Sequence, residues 1–185
     1  YKTKKTKVEV NLLISKVATL LGIFLVLITF LGVFGAPWLI YISAPGFISD
    51  PEKFNLTVDL LQITFPYIFF ISLVSMAGGV LNTYGKFSVP AFTPVWLNVS
   101  FIIAALYFSN FFEEPVKVLA WAVFFGGALQ LFFQIPFLKQ IGCLPKINFD
   151  MKDKGVWRIL KLMAPAILGV SIMQISLLIN TIFAS

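Results

Sequence analysis

Residues 12–42 read LLISKVATLLGIFLVLITFLGVFGAPWLIYI, with Lys16 as the single charged side chain. A bilayer core about 30 Å thick is crossed by roughly 20 apolar residues in a helix, so this run predicts a membrane span. Four more runs read the same way: Leu60 to Leu81, Phe87 to Phe108, Val118 to Leu138 and Leu162 to Ala184. The predicted fold class is therefore all-α, a polytopic transmembrane helix bundle. Composition agrees. The 185 residues are 59% hydrophobic and 12% charged, where a soluble domain carries about 25% charged residues. The 21 phenylalanines suit surface that faces lipid.

Charge sorts the connections. Lys2, Lys4, Lys5, Lys7 and, just inside the first span, Lys16 mark the N-terminal segment; Lys86 marks the turn after span two. Lys139, Lys146, Lys152, Lys154, Arg158 and Lys161 follow span four. The two alternate connections are acidic, with Asp50, Glu52 and Asp59 after span one and Glu113 and Glu114 after span three. Basic residues hold short loops in the cytoplasm, so residue 1 and Cys143 are expected inside and the end of span five outside. Cys143 should accordingly escape thiol reagents added from the periplasm. The chain opens at Tyr1 and stops at Ser185 within reach of an apolar run, and an internal slice of a longer protein is expected. No cleavable signal peptide is expected, because the first apolar run is too long and lacks a small-residue cleavage site.

Several chemistries are excluded. With one cysteine and no histidine, an internal disulfide, a Cys/His zinc or haem site and a histidine base are all out of reach. No metal and no cofactor is expected. The net charge of +6 is spread over loops that flank membrane rather than gathered on one soluble face, so nucleic acid is not expected as a partner. An enzyme would need nucleophiles, ligands or carboxylates converging at depth; the spans hold no Asp, Glu, Lys or Arg deep inside.

The spans are not uniform. Pro66, Pro90, Pro94, Pro136 and Pro165 lie in or beside them, and each removes a backbone donor, so a helix kinks or starts there; Pro66 is the expected kink. Ser75 with Gly79, and Ala122 with Gly126, stand four apart, with Gly78 and Gly127 adjoining, which lets helices approach closely. Uncharged polar groups recur at depth: Gln62, Thr64, Ser72, Ser75, Asn98, Gln130, Gln134, Ser171, Gln174, Ser176, Asn180 and Thr181. An unpaired amide in hydrocarbon costs several kcal/mol, so these groups face either other helices or a wet cavity. Both readings stand for the stripe Ser171, Gln174, Thr181 and Asn180 of span five. Between spans four and five, Val156, Ile159, Leu160 and Met163 share one helical face, with Lys154, Arg158 and Lys161 opposite and Trp157 at the boundary. That pattern predicts an interfacial helix beside anionic phospholipid headgroups, or a cytoplasmic extension of span five.

Ala36-Pro37-Trp38, Ala44-Pro45-Gly46-Phe47 and Leu61-Gln62-Ile63-Thr64-Phe65-Pro66-Tyr67 resemble the MurJ (MviN) family. So do Leu81-Asn82-Thr83, Lys86-Phe87-Ser88-Val89-Pro90-Ala91-Phe92 with Pro94, Leu97-Asn98, and Leu119-Ala120-Trp121-Ala122 with Gly126-Gly127 and Leu129-Gln130-Leu131. The run Pro165-Ala166-Ile167-Leu168-Gly169-Val170-Ser171, continuing through Gln174-Ile175-Ser176 to Ile179-Asn180-Thr181, is the closest match.

The resemblance implies a piece of a fourteen-helix, two-lobed exporter fold of the multidrug/oligosaccharidyl-lipid/polysaccharide superfamily. The chain would supply helices three to seven. Residues 1–138 would give four helices of the N-terminal lobe, 139–161 a cytoplasmic amphipathic connector, and 162–185 the first helix of the C-terminal lobe. It implies flipping of lipid II, the undecaprenyl-pyrophosphate-linked peptidoglycan precursor, by alternating access in the bacterial inner membrane. The family's cationic cavity residues lie mainly on helices one, two and eight, outside this chain. The candidates left to line a substrate cavity are Asn98, Gln134, Ser171, Gln174, Asn180 and Thr181. Some relatives carry on helix seven an aspartate that helps bind a coupling cation; the matching Asn180 offers an amide oxygen without charge. Related O-antigen, polysaccharide-lipid or drug exporters, and a non-transporting membrane scaffold, are the alternatives.

Overall fold

A computed structural model of the chain describes residues 6–149 together with Trp157, Lys161, Gln174, Ile179 and Asn180. The expected fifth span and most of the amphipathic stretch before it lie outside the described residues; those five positions are each helical and exposed. Among the described residues every regular element is helical. Four stretches are long and apolar enough to cross a membrane: Lys7–Phe34, Pro51–Thr83, Ser88–Phe111 and Pro115–Gln140. These coincide with the first four apolar runs, and the chain is a multi-pass membrane protein.

Helix α1 (Lys7–Phe34) starts before its apolar run because Thr6 and Glu9 form a capping box. The Thr6 N–H donates to Glu9 Oε2 at 3.1 Å and the Glu9 N–H to Thr6 Oγ1 at 3.4 Å, which satisfies donors that a helix start otherwise leaves open. The single span expected over 12–42 is corrected by the structure. The helix turns at Gly35 and resumes as a separate α2 (Ala36–Ser43). Pro37 has no N–H for the carbonyl four residues back, that of Val33. Gln62 donates its Nε2 to this carbonyl at 3.1 Å instead.

The acidic stretch after α2 was expected as a loop, and it too is corrected. Beyond a short 3₁₀ segment, Pro45–Ser49, it is helical: Asp50 Oδ1 accepts the Lys53 N–H at 3.1 Å and Pro51 takes the first turn of α3 (Pro51–Thr64). An N-cap residue with proline next to it outweighs the polarity of the first turn. Pro66 produces the expected kink. Around it the Ile68 and Phe69 N–H groups bond three residues back, to Phe65 and Pro66, before α4 (Tyr67–Thr83) runs on. The third span is α5 (Ser88–Phe92), α6 (Pro94–Ile103), one π turn over Ala104–Phe108 and a 3₁₀ turn over Ser109–Phe111. The fourth is α7 (Pro115–Gln140), which passes through the exposed Pro136 without ending, so no helix boundary forms at this proline.

Helices α4 and α7 finish at one end of the bundle in the same way. Gly85 and Gly142 have φ of 76° and 69°, a left-handed backbone that costs glycine little. The Lys86 N–H reaches Leu81 O at 2.9 Å and the Cys143 N–H reaches Leu138 O at 2.9 Å, the Schellman pattern that closes a helix. Together with the start of α1, these ends gather Lys7, Lys86, Lys139 and Lys146 at one end. The other end carries Asp50, Asp59, Glu113 and Glu114, and there Lys117 Nζ pairs with Asp59 Oδ2 at 2.7 Å. The charge partition read from the connections is therefore a partition between two ends of the bundle.

Helix α7 is the hub, packed against α3, α4, α5 and α6. Glycines set the close approaches. A Cβ on Gly126 would lie 3.2 Å from the Leu97 Cα, one on Gly127 3.0 Å from the Phe70 Cβ, and one on Gly78 3.3 Å from the Pro90 Cβ. A Cβ on Gly32 of α1 would fall inside the ring of Phe65 at the α3–α4 kink. The Ser75–Gly79 pair does not act this way: Ser75 is exposed and a Cβ on Gly79 would meet nothing within 4 Å. The contact belongs to Gly78, one position along, because the helical phase and not the four-residue spacing decides which side faces α5. Large apolar side chains such as Phe30, Phe34, Phe125 and Phe132 stay more than half exposed, as suits a bundle whose solvent is lipid tails or further helices.

Candidate functional site

Two groups of polar side chains stand out at depth. The first lies between α5–α6 and α7. Gln134 is 1% exposed, and its Nε2 donates to Thr93 Oγ1 at 2.9 Å. The Thr93 hydroxyl donates in turn to Val89 O at 2.8 Å, so it can only accept from the glutamine, and the amide orientation is set by that. Gln130 stands one turn away on the same face. The Oε1 atoms of both glutamines are buried without a protein partner among the described residues. Asn98, in contrast, is exposed on α6. The structure therefore does not join Asn98 to Gln134; it joins Gln134 to Thr93.

Of the remaining cavity candidates, Gln174 and Asn180 are helical and exposed, while Ser171 and Thr181 lie outside the described residues. Lys161 of the basic interfacial face is helical and exposed; Lys154 and Arg158 lie outside them too.

The second group sits at the lysine-rich end, and the sequence pattern alone did not single it out. After the Gly142 turn, residues 143–149 are non-helical and run back along α1. Asn11, Ser15 and Thr19 stand at i, i+4 and i+8, one face of α1, and each meets this strap. Asn11 Nδ2 donates to Gly142 O at 2.6 Å, and Cys143 Sγ donates to Asn11 Oδ1 at 3.0 Å. Ser15 Oγ accepts the Lys146 N–H at 3.0 Å and Thr19 Oγ1 accepts the Asn148 N–H at 2.9 Å. The two hydroxyls donate their own protons back to Asn11 O and Ser15 O, both at 2.8 Å. Each is thus oriented by its helix to receive the strap. The signal was present as small polar residues at four-residue spacing inside an apolar run.

Beneath the strap a cleft of about 280 Å³ opens between α1, α4 and α7, walled by side chains such as Ala18, Met76 and Leu131, with Lys146 at its margin. Lys16, read at the edge of a span, is 7% exposed beside this layer, so one cation does lie within the bundle. Cys143 is 1% exposed. A hydrogen bond that the Tyr84 hydroxyl gives to the Cys143 sulfur, and then burial, raise the Tyr84 phenol above its usual range. Burial changes the expected labelling experiment: the thiol is shielded from reagents on either side, so its silence does not report which side it is on.

Among the described residues no three His, Cys, Asp or Glu side chains gather as a metal site. What the geometry defines is a multi-pass membrane bundle in which Gln134 pairs with Thr93 between helices and Asn11, Ser15 and Thr19 fasten a non-helical strap. A family model described as lipid II flippase MurJ matches residues 1–185, and the chain belongs to this family. A probable lipid II flippase MurJ of Buchnera aphidicola (subspecies Acyrthosiphon pisum) is 47% identical over 185 residues, covering 100% of this chain and 36% of that protein. A lipid II flippase MurJ of Burkholderia cenocepacia is 45% identical over 177 residues, 94% of this chain and 34% of the relative. A probable one of Vibrio cholerae is 42% identical over 180 residues, again 94% and 34%. The chain spans about a third of the length of these relatives.

Proposed function

We propose that this chain is part of a transporter that carries lipid II from the inner to the outer leaflet of the bacterial cytoplasmic membrane. The match to the flippase family over every residue of the chain carries the reading. In this reading residues 1–138 belong to one lobe, 139–161 connect the lobes, and 162–185 open the second. The lysine-rich end lies in the cytoplasm, because basic residues stay on that side, and residue 1 lies there with it.

No bond is made or broken. The pyrophosphate, sugars and peptide of the substrate cannot enter hydrocarbon unaided, and a wet chamber between the lobes shelters them while the lipid tail stays among other lipids. The Pro66 kink, with Phe65 seated in the notch at Gly32, and the close glycine contacts on α7 let helices shift as packed units. Ser171, Gln174, Asn180 and Thr181 line the chamber from helix seven, and Asn180 takes part in binding a coupling cation through its amide oxygen. Asn98 faces the same wet region or a neighbouring helix. Lys154, Arg158 and Lys161 rest on anionic phospholipid.

The test is depletion of the full-length protein in its host, with lipid II exposed on the outer leaflet read by an added periplasmic enzyme. Outer-leaflet lipid II should fall and return with the wild-type gene. An unchanged level on depletion refutes the reading.

A further inference from the structure

Residues 142–148 lie within segment 139–161, read above as the connector between the lobes, and they are held by side chains of a helix far away in sequence. Asn11 binds at Gly142 and Cys143, Ser15 at Lys146 and Thr19 at Asn148. The three anchors climb about 12 Å of α1. Each hydroxyl is fixed by its bond to the carbonyl four residues back, so a displacement of α1 displaces the atoms that receive the strap. At its opposite end α1 is keyed to the α3–α4 kink, where Gly32 admits the Phe65 ring. One helix thus touches the α3–α4 kink near its C-terminal end and segment 142–148 near its N-terminal end.

We propose that Asn11, Ser15 and Thr19 are positioning residues for transport: they latch segment 142–148 to α1 and so transmit movement of that helix to the connector. The functional half of this proposal rests on the flippase reading; the latch itself does not. Backbone donors in an apolar layer need partners, and here those partners are side chains, each bond modest in net strength. A fastening of that kind opens and closes more readily than a continuous helix.

Cys143 reports the latch, because it is buried under it and bonded to Asn11. The experiment uses the full-length protein in inside-out vesicles, with a maleimide and mass spectrometry of the peptide that holds Cys143. Asn11→Ala should raise the labelling rate roughly tenfold, since two hydrogen bonds go. Thr19→Val, of nearly unchanged shape, should raise it a few-fold, and Thr19→Ser, which keeps the hydroxyl, should leave it near wild type. Outer-leaflet lipid II should fall with Asn11→Ala and Thr19→Val and stay near normal with Thr19→Ser, all at equal protein level in the membrane. Rapid labelling of the wild-type thiol overturns the latch. Faster labelling without loss of transport, or equal loss in Thr19→Ser and Thr19→Val, overturns the positioning role. If the wild-type protein moves no lipid II, the flippase reading falls, and the labelling series still decides the latch.

Discussion

Thr93→Val decides whether Gln134 fastens helices or lines a wet space. The valine removes the oxygen that accepts Gln134 Nε2 at 2.9 Å. Val89 O loses the Thr93 hydroxyl but keeps the Thr93 N–H at 3.1 Å, so the new deficit falls on the glutamine. That side chain is 1% exposed and its Oε1 already lacks a protein partner among the described residues. Leaving a buried amide unsatisfied costs about 1–3 kcal/mol in soluble proteins, and bonds between membrane helices average about 0.6 and reach about 1.7 kcal/mol. Thr93→Val should therefore cost about 1–1.5 kcal/mol. Gln134→Leu should cost less, because Thr93 still donates to Val89 O and no group is newly orphaned. The double variant should resemble Gln134→Leu alone, with a coupling of about 1 kcal/mol. The assay is reversible unfolding of the full-length protein in mixed micelles, run as a double-mutant cycle. Additive effects would refute the fastening role. So would a Thr93→Val variant as stable as wild type whose Gln134→Leu counterpart loses transport; in that case the amide serves a wet cavity.

The packing and the charge partition give two further outcomes. Gly126→Leu should destabilise the bundle by about 2–3 kcal/mol, a typical overpacking cost, because the added Cβ would already meet Leu97 at its Cδ1 and Cα. Gly79→Leu, with open space around it, should lie within about 0.5 kcal/mol of wild type in the same unfolding assay; a reversed order would show that the glycine faces are misassigned. For orientation, Lys86→Cys and Glu113→Cys replace the buried Cys143 as reporters, since both positions are exposed. An impermeant maleimide added to spheroplasts should label Glu113→Cys and not Lys86→Cys, and the opposite pattern inverts the proposed topology.

Membrane insertion, the number of spans before residue 140 and the pairing of their ends were legible in the linear chain. Each depends on sums over twenty or so residues, which dilute local irregularity: an apolar run long enough for the bilayer must be helical there, and lysines and carboxylates mark alternate ends. Pro66 was legible too, because the loss of its N–H is a property of the residue itself. Helix starts at Thr6 and Asp50 were written in capping residues, although apolar run length placed them several residues late.

Tertiary packing decided the rest. No spacing rule says that Gln62 takes over the carbonyl that Pro37 leaves open, that Gly78 rather than Gly79 meets α5, or that Gln134 finds Thr93 and leaves Asn98 exposed. These depend on helix rotation, which neighbouring side chains settle together. The strap is the extreme case. Asn11, Ser15 and Thr19 look like minor polar interruptions of an apolar run until a segment more than 120 residues onward brings its backbone against them. Their role is a relation between two distant stretches, and only the folded bundle contains it.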